Sequence, residues 1–197
     1  VLDRIAEDGV AMAVWDRALP DPIASRIGRA GADSLPRLRA TVAAADAGRA
    51  LGTALGGVPD RGLAEALAAD VADLVRIAAR LIGRDEVSVR LEAISGNACS
   101  RFHADRVALR LIATYRGPGT EWVDEDALPP GADPRDPPAQ AVRRVPTGAV
   151  GLFKGSLATA RPAMHRSPPI AGTGAVRLLL CIDEGFQVPQ HLHGATP

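Results

Sequence analysis

The chain has 197 residues, with 23 basic and 23 acidic side chains and a formal net charge of zero. That length suits one domain with a core of its own, and the balanced charge argues against a nucleic-acid or anionic-membrane binder, which shows as a basic excess. Aromatic residues make up only 3%, too few for a base-stacking platform, and no run approaches the ~20 apolar residues of a membrane span.

Two cysteines, Cys99 and Cys181, cannot make a disulfide framework and read as thiols of a reducing compartment, so the expected location is cytoplasmic. From Val1 onward there is no basic, apolar, small-residue signal pattern. Lys154 is the single lysine of the sequence, and alanine and arginine are so frequent that they discriminate little. The rare residue types carry more information.

In chain order, the first expected element is a helix from about Ser34, with Ser34 as its cap, to Gly48. The strongest is a helix over Asp60–Gly83. Leu63, Leu67, Val71, Leu74, Ala78 and Leu81 recur at three- and four-residue steps, which draws one apolar stripe. Asp60 suits its N-cap and Gly83 its C-terminal stop. The pattern then switches to period two. Val87–Ile94 alternates, Val107–Tyr115 is a second strand, and Ala141–Val145 and Ala149–Phe153 flank the Pro146-Thr147-Gly148 turn. Ala175–Ile182 is the most apolar strand. The acidic, proline-rich stretch Asp124–Pro138 reads as a surface loop. The expected fold class is α+β: residues 1–84 form a helical cover belonging to the same domain, residues 85–185 a double-stranded β-helix (jelly-roll or cupin-like barrel), and residues 186–197 a tail.

The chemistry concentrates in Cys99-Ser-Arg-Phe-His103-Ala-Asp105. In an extended chain, His-x-Asp puts imidazole and carboxylate on one face, so both can reach one ion. His165, in Met164-His165-Arg166-Ser167-Pro168-Pro169, completes a two-histidine, one-carboxylate set of the kind that holds one face of an octahedral iron(II) and leaves the rest open. Adding Cys99 as a fourth ligand gives a closed tetrahedral zinc site instead. The turn at Gly117-Pro118-Gly119-Thr120-Glu121-Trp122 reads as structural, with Trp122 over the barrel mouth. Lys154 reads as a surface residue, and His191-x-His193 as an exposed tail pair.

The run "VSVRLEAISGNACSRFHADRVALRLIATYRGPGTEW" and the later "RRVPTGAVGLFKGSLATARPAMHRSPPIAGTGAVRLLLCID" are similar to the two core blocks of Fe(II)/2-oxoglutarate oxygenases of the prolyl-hydroxylase type. More closely, the phrases "C..FH.D.V..RL..TY.GPGTEW", "FKG" and "HRSPP" before "RLLL.ID" resemble the bacterial family catalogued as domain of unknown function 1826. The resemblance implies His103, Asp105 and His165 as metal ligands, and Fe(II) and 2-oxoglutarate as cofactors. It implies Arg177 as the clamp for the distal carboxylate of 2-oxoglutarate, and Tyr115 as a further donor to it. The oxygenase pattern sets the basic residue about ten positions after the second histidine, whereas Arg177 follows His165 by 12. Strand parity puts Arg110 on the face opposite Tyr115, so the two cannot line one pocket unless the strand bulges.

Three functions follow as expectations: an oxygenase acting on an unidentified small molecule or protein, a zinc-binding protein of metal homeostasis that uses Cys99, or a cupin-like metal-dependent hydrolase or isomerase. Neither nucleic acid nor membrane is an expected partner, and the sequence leaves the oligomeric state open.

Overall fold

A computed structural model describes residues 1–185. The expected tail, including His191 and His193, lies outside the described residues. The chain is a mixed α/β structure of antiparallel sheets with few helices. Its strands are β1 (Met12–Trp15), β2 (Leu38–Ala43), β3 (Glu86–Ile94), β4 (Leu109–Arg116), β5 (Glu121–Val123), β6 (Val142–Arg144), β7 (Val150–Lys154), β8 (His165–Arg166) and β9 (Arg177–Asp183). The helices are α1 (Asp21–Ile27), α2 (Ala47–Leu55) and α3 (Arg61–Ile82). Among the described residues no helix is long and apolar enough to cross a membrane.

A six-stranded sheet runs β1-β7-β4-β9-β3-β2 and a three-stranded sheet runs β6-β5-β8. Alternation along the strands of the larger sheet divides its side chains between two cores. Leu111, Ala113 and Tyr115 of β4, Leu178, Leu180 and Ile182 of β9, and Val87, Val89 and Leu91 of β3 pack with Leu63, Leu67, Val71 and Leu74 of α3. The intervening residues face the smaller sheet. There Ile112, Phe153, Leu179 and Cys181 form a second cluster, with Trp122 against it.

The helix α3 follows the expected apolar stripe. Its ends are set locally: the Asp60 side chain accepts a bond from the Leu63 N–H, and Gly83 stops the helix at φ 73°. The helix expected over Ser34–Gly48 is not formed. Leu38–Ala43 is instead an edge strand paired residue for residue with β3, Leu38 opposite Leu91 and Ala43 opposite Glu86. Leu38, Ala40 and Val42 alternate with Arg39 and Thr41. Pairing with a neighbouring strand satisfies that alternation and overrides the helix preference of the alanines. Thus two strands, β1 and β2, come from the first 84 residues and form the two edges of the larger sheet.

One buried polar group ties the helical layer to the sheet. Arg17 grips Asp70 of α3 with both nitrogens, at 2.5 and 2.8 Å, and also donates to the Gly148 carbonyl at 3.1 Å. The Tyr115 hydroxyl donates to the same Asp70 at 2.5 Å, and burial among these groups pushes its pKa up.

Candidate metal centre

His103 and His165 meet as a single antiparallel bridge. Each N–H donates to the other's carbonyl at 3.0 Å. This is the hydrogen-bonded type of cross-strand pair, so both imidazoles stand on one face, with ring centroids 4.8 Å apart. His165 is also paired with Trp122 across β8 and β5. The Phe153 ring, from the larger sheet, packs on it at 4.8 Å. Asp105 follows His103 by two residues and returns to the same face.

The chain between Asp105 and β4 is fixed by the segment after β7. The Ser156 N–H and hydroxyl both donate to the Asp105 carbonyl, at 2.8 and 3.2 Å. Gly155 lies so close that a Cβ there would overlap the Val107 carbonyl and come within 2.6 Å of the Asp105 carbonyl oxygen. The Phe-Lys-Gly motif therefore has a physical reason: only glycine lets this backbone pass.

Side-chain nitrogen and oxygen atoms of His103, Asp105 and His165 all lie within 4.8 Å of one another, and among the described residues this is the one such group. Each histidine directs Nδ1 at a backbone carbonyl, His103 to Arg101 at 2.9 Å and His165 to Ala163 at 2.9 Å. A carbonyl only accepts, so Nδ1 must carry the proton. In the neutral ring Nε2 then presents a lone pair. Both Nε2 atoms point at the Asp105 carboxylate, at 3.6 Å for His103 and 3.1 Å for His165. The Asp105 Oδ2 atom is buried and has no hydrogen-bond partner. Two lone pairs facing one anionic carboxylate repel it unless something positive sits between them. A proton can serve one pair at a time, whereas a divalent cation serves all three. The donor set therefore fits a metal ion.

Electrostatics around Asp105 agree with that donor set. Burial alone would raise its pKa, but the imidazoles of His103 and His165 beside it and the charge of Arg110 outweigh it and hold the carboxyl well below the usual range. The Asp105 carboxylate beside it raises the pKa of His103 against the opposing effect of burial.

Of the other expected site residues, Arg177 lies on the face of β9 turned away from α3. Its neighbours Leu178 and Leu180 point to the helices. It is 0% exposed. Its guanidinium donates to the Pro118 carbonyl at 2.7 Å and to the hydroxyls of Ser167, Thr120 and Thr114 at 2.8, 3.2 and 3.4 Å. Among the described residues no carboxylate lies within ion-pair distance of it. Burial lowers its pKa to about 10, with the Arg144 charge adding to the effect, so it stays protonated at neutral pH. Tyr115 is not beside the ligand cluster. It stands on the helix face of β4 with its hydroxyl on Asp70, because side chains alternate and the register shift in β4 falls after Thr114. Thr114, one residue earlier, takes the place toward Arg177 that Tyr115 was expected to hold. Cys99 also stands apart. Its side chain is exposed, its backbone takes a left-handed turn at φ 47°, and it contributes a carbonyl to the Ser167 N–H rather than a thiolate to the cluster.

A cleft of about 910 Å³ opens onto His103. One wall is the acidic, proline-rich loop, through Glu125, Leu128, Pro129 and Arg135, and the other is the segment of Ser156, Thr159 and Arg161. Sequence reading missed Arg110 as a site residue. It bonds Asp105 at 2.6 Å, and the signal was its parity, opposite to Tyr115 on the same strand.

The fold and cluster together define a mixed α/β protein of antiparallel sheets with a His-Asp-His group able to hold a metal. The chain belongs to the family described as "Protein of unknown function (DUF1826)", whose model matches residues 1–183. No curated protein matches it. Among solved structures it is similar to a prolyl-4-hydroxylase of Pseudomonas putida (16% identity, 93% of this chain and 95% of that one, TM-score 0.48). It is also similar to a putative oxygenase from Shewanella oneidensis (12%, 88% and 81%, TM-score 0.48) and to AviO1 from Streptomyces viridochromogenes Tue57 (17%, 100% and 95%, TM-score 0.44).

Proposed function

We propose that the chain is a mononuclear non-haem iron(II) oxygenase that uses 2-oxoglutarate, built on a double-stranded β-helix whose two sheets hold the site between them. The observation that carries this reading is the Asp105 Oδ2 atom, buried and without a partner 3.1 Å from the His165 Nε2, with the His103 Nε2 3.6 Å from the other carboxylate oxygen. Three ligands of this kind hold one face of an octahedral ion and leave the opposite face for reactants. A fourth protein ligand would favour a closed zinc site, and the position of Cys99 outside the cluster weighs against it.

Bound iron(II) with 2-oxoglutarate would supply the oxidising power for dioxygen-dependent attack on a substrate C–H bond. The chain's own residues do the rest. The carbonyls of Arg101 and Ala163 hold the two imidazoles in the tautomer that offers Nε2. Arg177, buried and lacking an anionic partner, would receive a carboxylate by releasing the hydroxyls of Ser167 and Thr120 to which it now donates, and those hydroxyls would then share the bound group. The loop over the cleft at His103 would close on a substrate and exclude water.

The test is succinate release from 2-oxoglutarate with iron(II) in air, with metal binding measured alongside. Wild type is expected to turn over. His103→Ala should lose both metal and turnover. Arg177→Ala should keep the metal and lose turnover through a raised KM for 2-oxoglutarate. Tyr115→Phe, on the far face, should keep both. Absence of 2-oxoglutarate turnover in metal-loaded wild type, or metal binding that survives His103→Ala and His165→Ala together, would sink the reading.

A further inference from the structure

The two oxygens of Asp105 are not equivalent. Oδ1 lies 2.6 Å from Nη1 of Arg110 and 3.6 Å from Nε2 of His103, whereas Oδ2 faces the nearer imidazole, Nε2 of His165 at 3.1 Å, with no hydrogen-bond partner. Arg110 is not free to swing away. Its Nε and Nη2 both lie 2.8 Å from Oδ2 of Asp183, the residue directly opposite it across β4 and β9. All three side chains are largely buried, with exposures of 19% for Arg110, 11% for Asp105 and 13% for Asp183.

A carboxylate can bind a metal through one oxygen or two. A guanidinium paired with one carboxylate oxygen at 2.6 Å holds that oxygen by charge. The cation held at Oδ1 also opposes the approach of a second cation to that atom. Asp183 balances the charge of Arg110, so the pair orients Asp105 without making the surroundings strongly positive. On an octahedral ion, three single-atom ligands leave three positions free, whereas a two-oxygen aspartate would leave two.

We propose that Arg110, held in place by Asp183, is a positioning residue that reserves Oδ1 of Asp105 and so makes Asp105 a one-oxygen ligand, keeping one coordination position open. This rests on the reading of His103, Asp105 and His165 as the ligand set. It assigns Arg110 and Asp183 to the site even though neither touches the ion. With three open positions a co-substrate binding through two atoms and a further small reactant can be held together; with two they compete.

Manganese(II) alone is the probe, and water-proton relaxation per bound ion counts the waters on it. Wild type is expected to show three waters. Arg110→Met should show two, a fall of about one third in relaxation per bound ion. Asp183→Asn, which loosens the grip on Arg110 and changes little volume, should fall in the same direction by less. Circular dichroism establishes that each variant is folded, and if Arg110→Met does not fold, Asp183→Asn decides alone. A wild-type water count in folded Arg110→Met, or in Asp183→Asn when it decides, overturns the proposal while manganese binding that depends on His165 leaves the ligand reading intact. Failure of wild type to bind manganese, or binding unaffected by His165→Ala, overturns both. A merely structural ion pair would lower the melting temperature in these variants and leave the water count unchanged.

Discussion

The two faces of the six-stranded sheet are made by the same strands and behave as different materials. Toward α3, β4 presents Leu111, Ala113 and Tyr115, in an apolar layer interrupted by the one satisfied cluster of Arg17, Asp70 and Tyr115. Toward the smaller sheet the same strand presents Arg110, Ile112 and Thr114, and β9 presents Arg177 and Asp183. The first face is closed chemically: its polar atoms have partners. The second keeps an unpartnered carboxylate oxygen and a guanidinium without an anion. Because a strand alternates, one sequence can encode stability at every second position and site chemistry at the positions between, and substitutions should separate the two.

The largest effect is expected on the helix face. Leu111 is 0% exposed, and Leu111→Ala should cost about 2–5 kcal/mol of unfolding free energy through lost burial and the cavity left behind. Metal affinity of the molecules that remain folded should not change. Denaturant unfolding and manganese titration on one preparation would read both, and a parallel loss of affinity would break the separation. Gly155→Ala should show the reverse balance. The added Cβ pushes on the carbonyl of Asp105, so metal affinity should fall by about 10–100-fold, the range for disturbing the support of a ligand, with a loss of about 1–3 kcal/mol from overpacking.

The smallest effect concerns Glu121, in the smaller sheet opposite Arg166. Burial would raise its pKa, but the bonds from Arg144 and Arg166 outweigh that and lower it. A carboxylate depressed in the folded state binds more protons when unfolded, so its stabilisation is present above the unfolded value of ~4.3 and is lost as the pH falls through the lower folded value. Glu121→Gln should therefore flatten the decline of stability on acidification below about pH 4.5, leaving metal affinity at neutral pH unchanged. Unfolding curves between about pH 3 and 6 would show it, and an unchanged acid slope would count against this assignment.

Much of this division was legible in the sequence. Asp60 and Gly83 bracket α3, and the period-two run of β3 is clear. His103-x-Asp105 with His165 names the group that the structure brings together. What the sequence hid has physical causes. The edge strand β2 carries alanines that favour helix in isolation, and only its pairing with β3 reveals the alternation of Leu38, Ala40 and Val42. The spacing of Cys99 from His103 suggested a ligand, but a left-handed turn at Cys99 cannot be read from spacing. Tyr115 was drawn toward the site by its rarity, although parity with Arg110 on the same strand already divided the two. Arg110 itself was obscured by the abundance of arginine.

Arg177 carries a thermodynamic consequence. A protonated guanidinium with no exposed surface and no counter-anion opposes folding, even with its hydrogen bonds made to Pro118, Ser167 and Thr120. An apolar side chain of similar size at this position would relieve that tension, giving a tougher protein that, on the proposed function, has lost its hold on 2-oxoglutarate. Stability screens would therefore favour apolar variants at position 177, and the proposed function expects those variants to lose 2-oxoglutarate turnover. Conversely, under the proposed function 2-oxoglutarate should raise the melting temperature as it binds, so resistance to heat becomes a way of testing which small dicarboxylates the protein recognises.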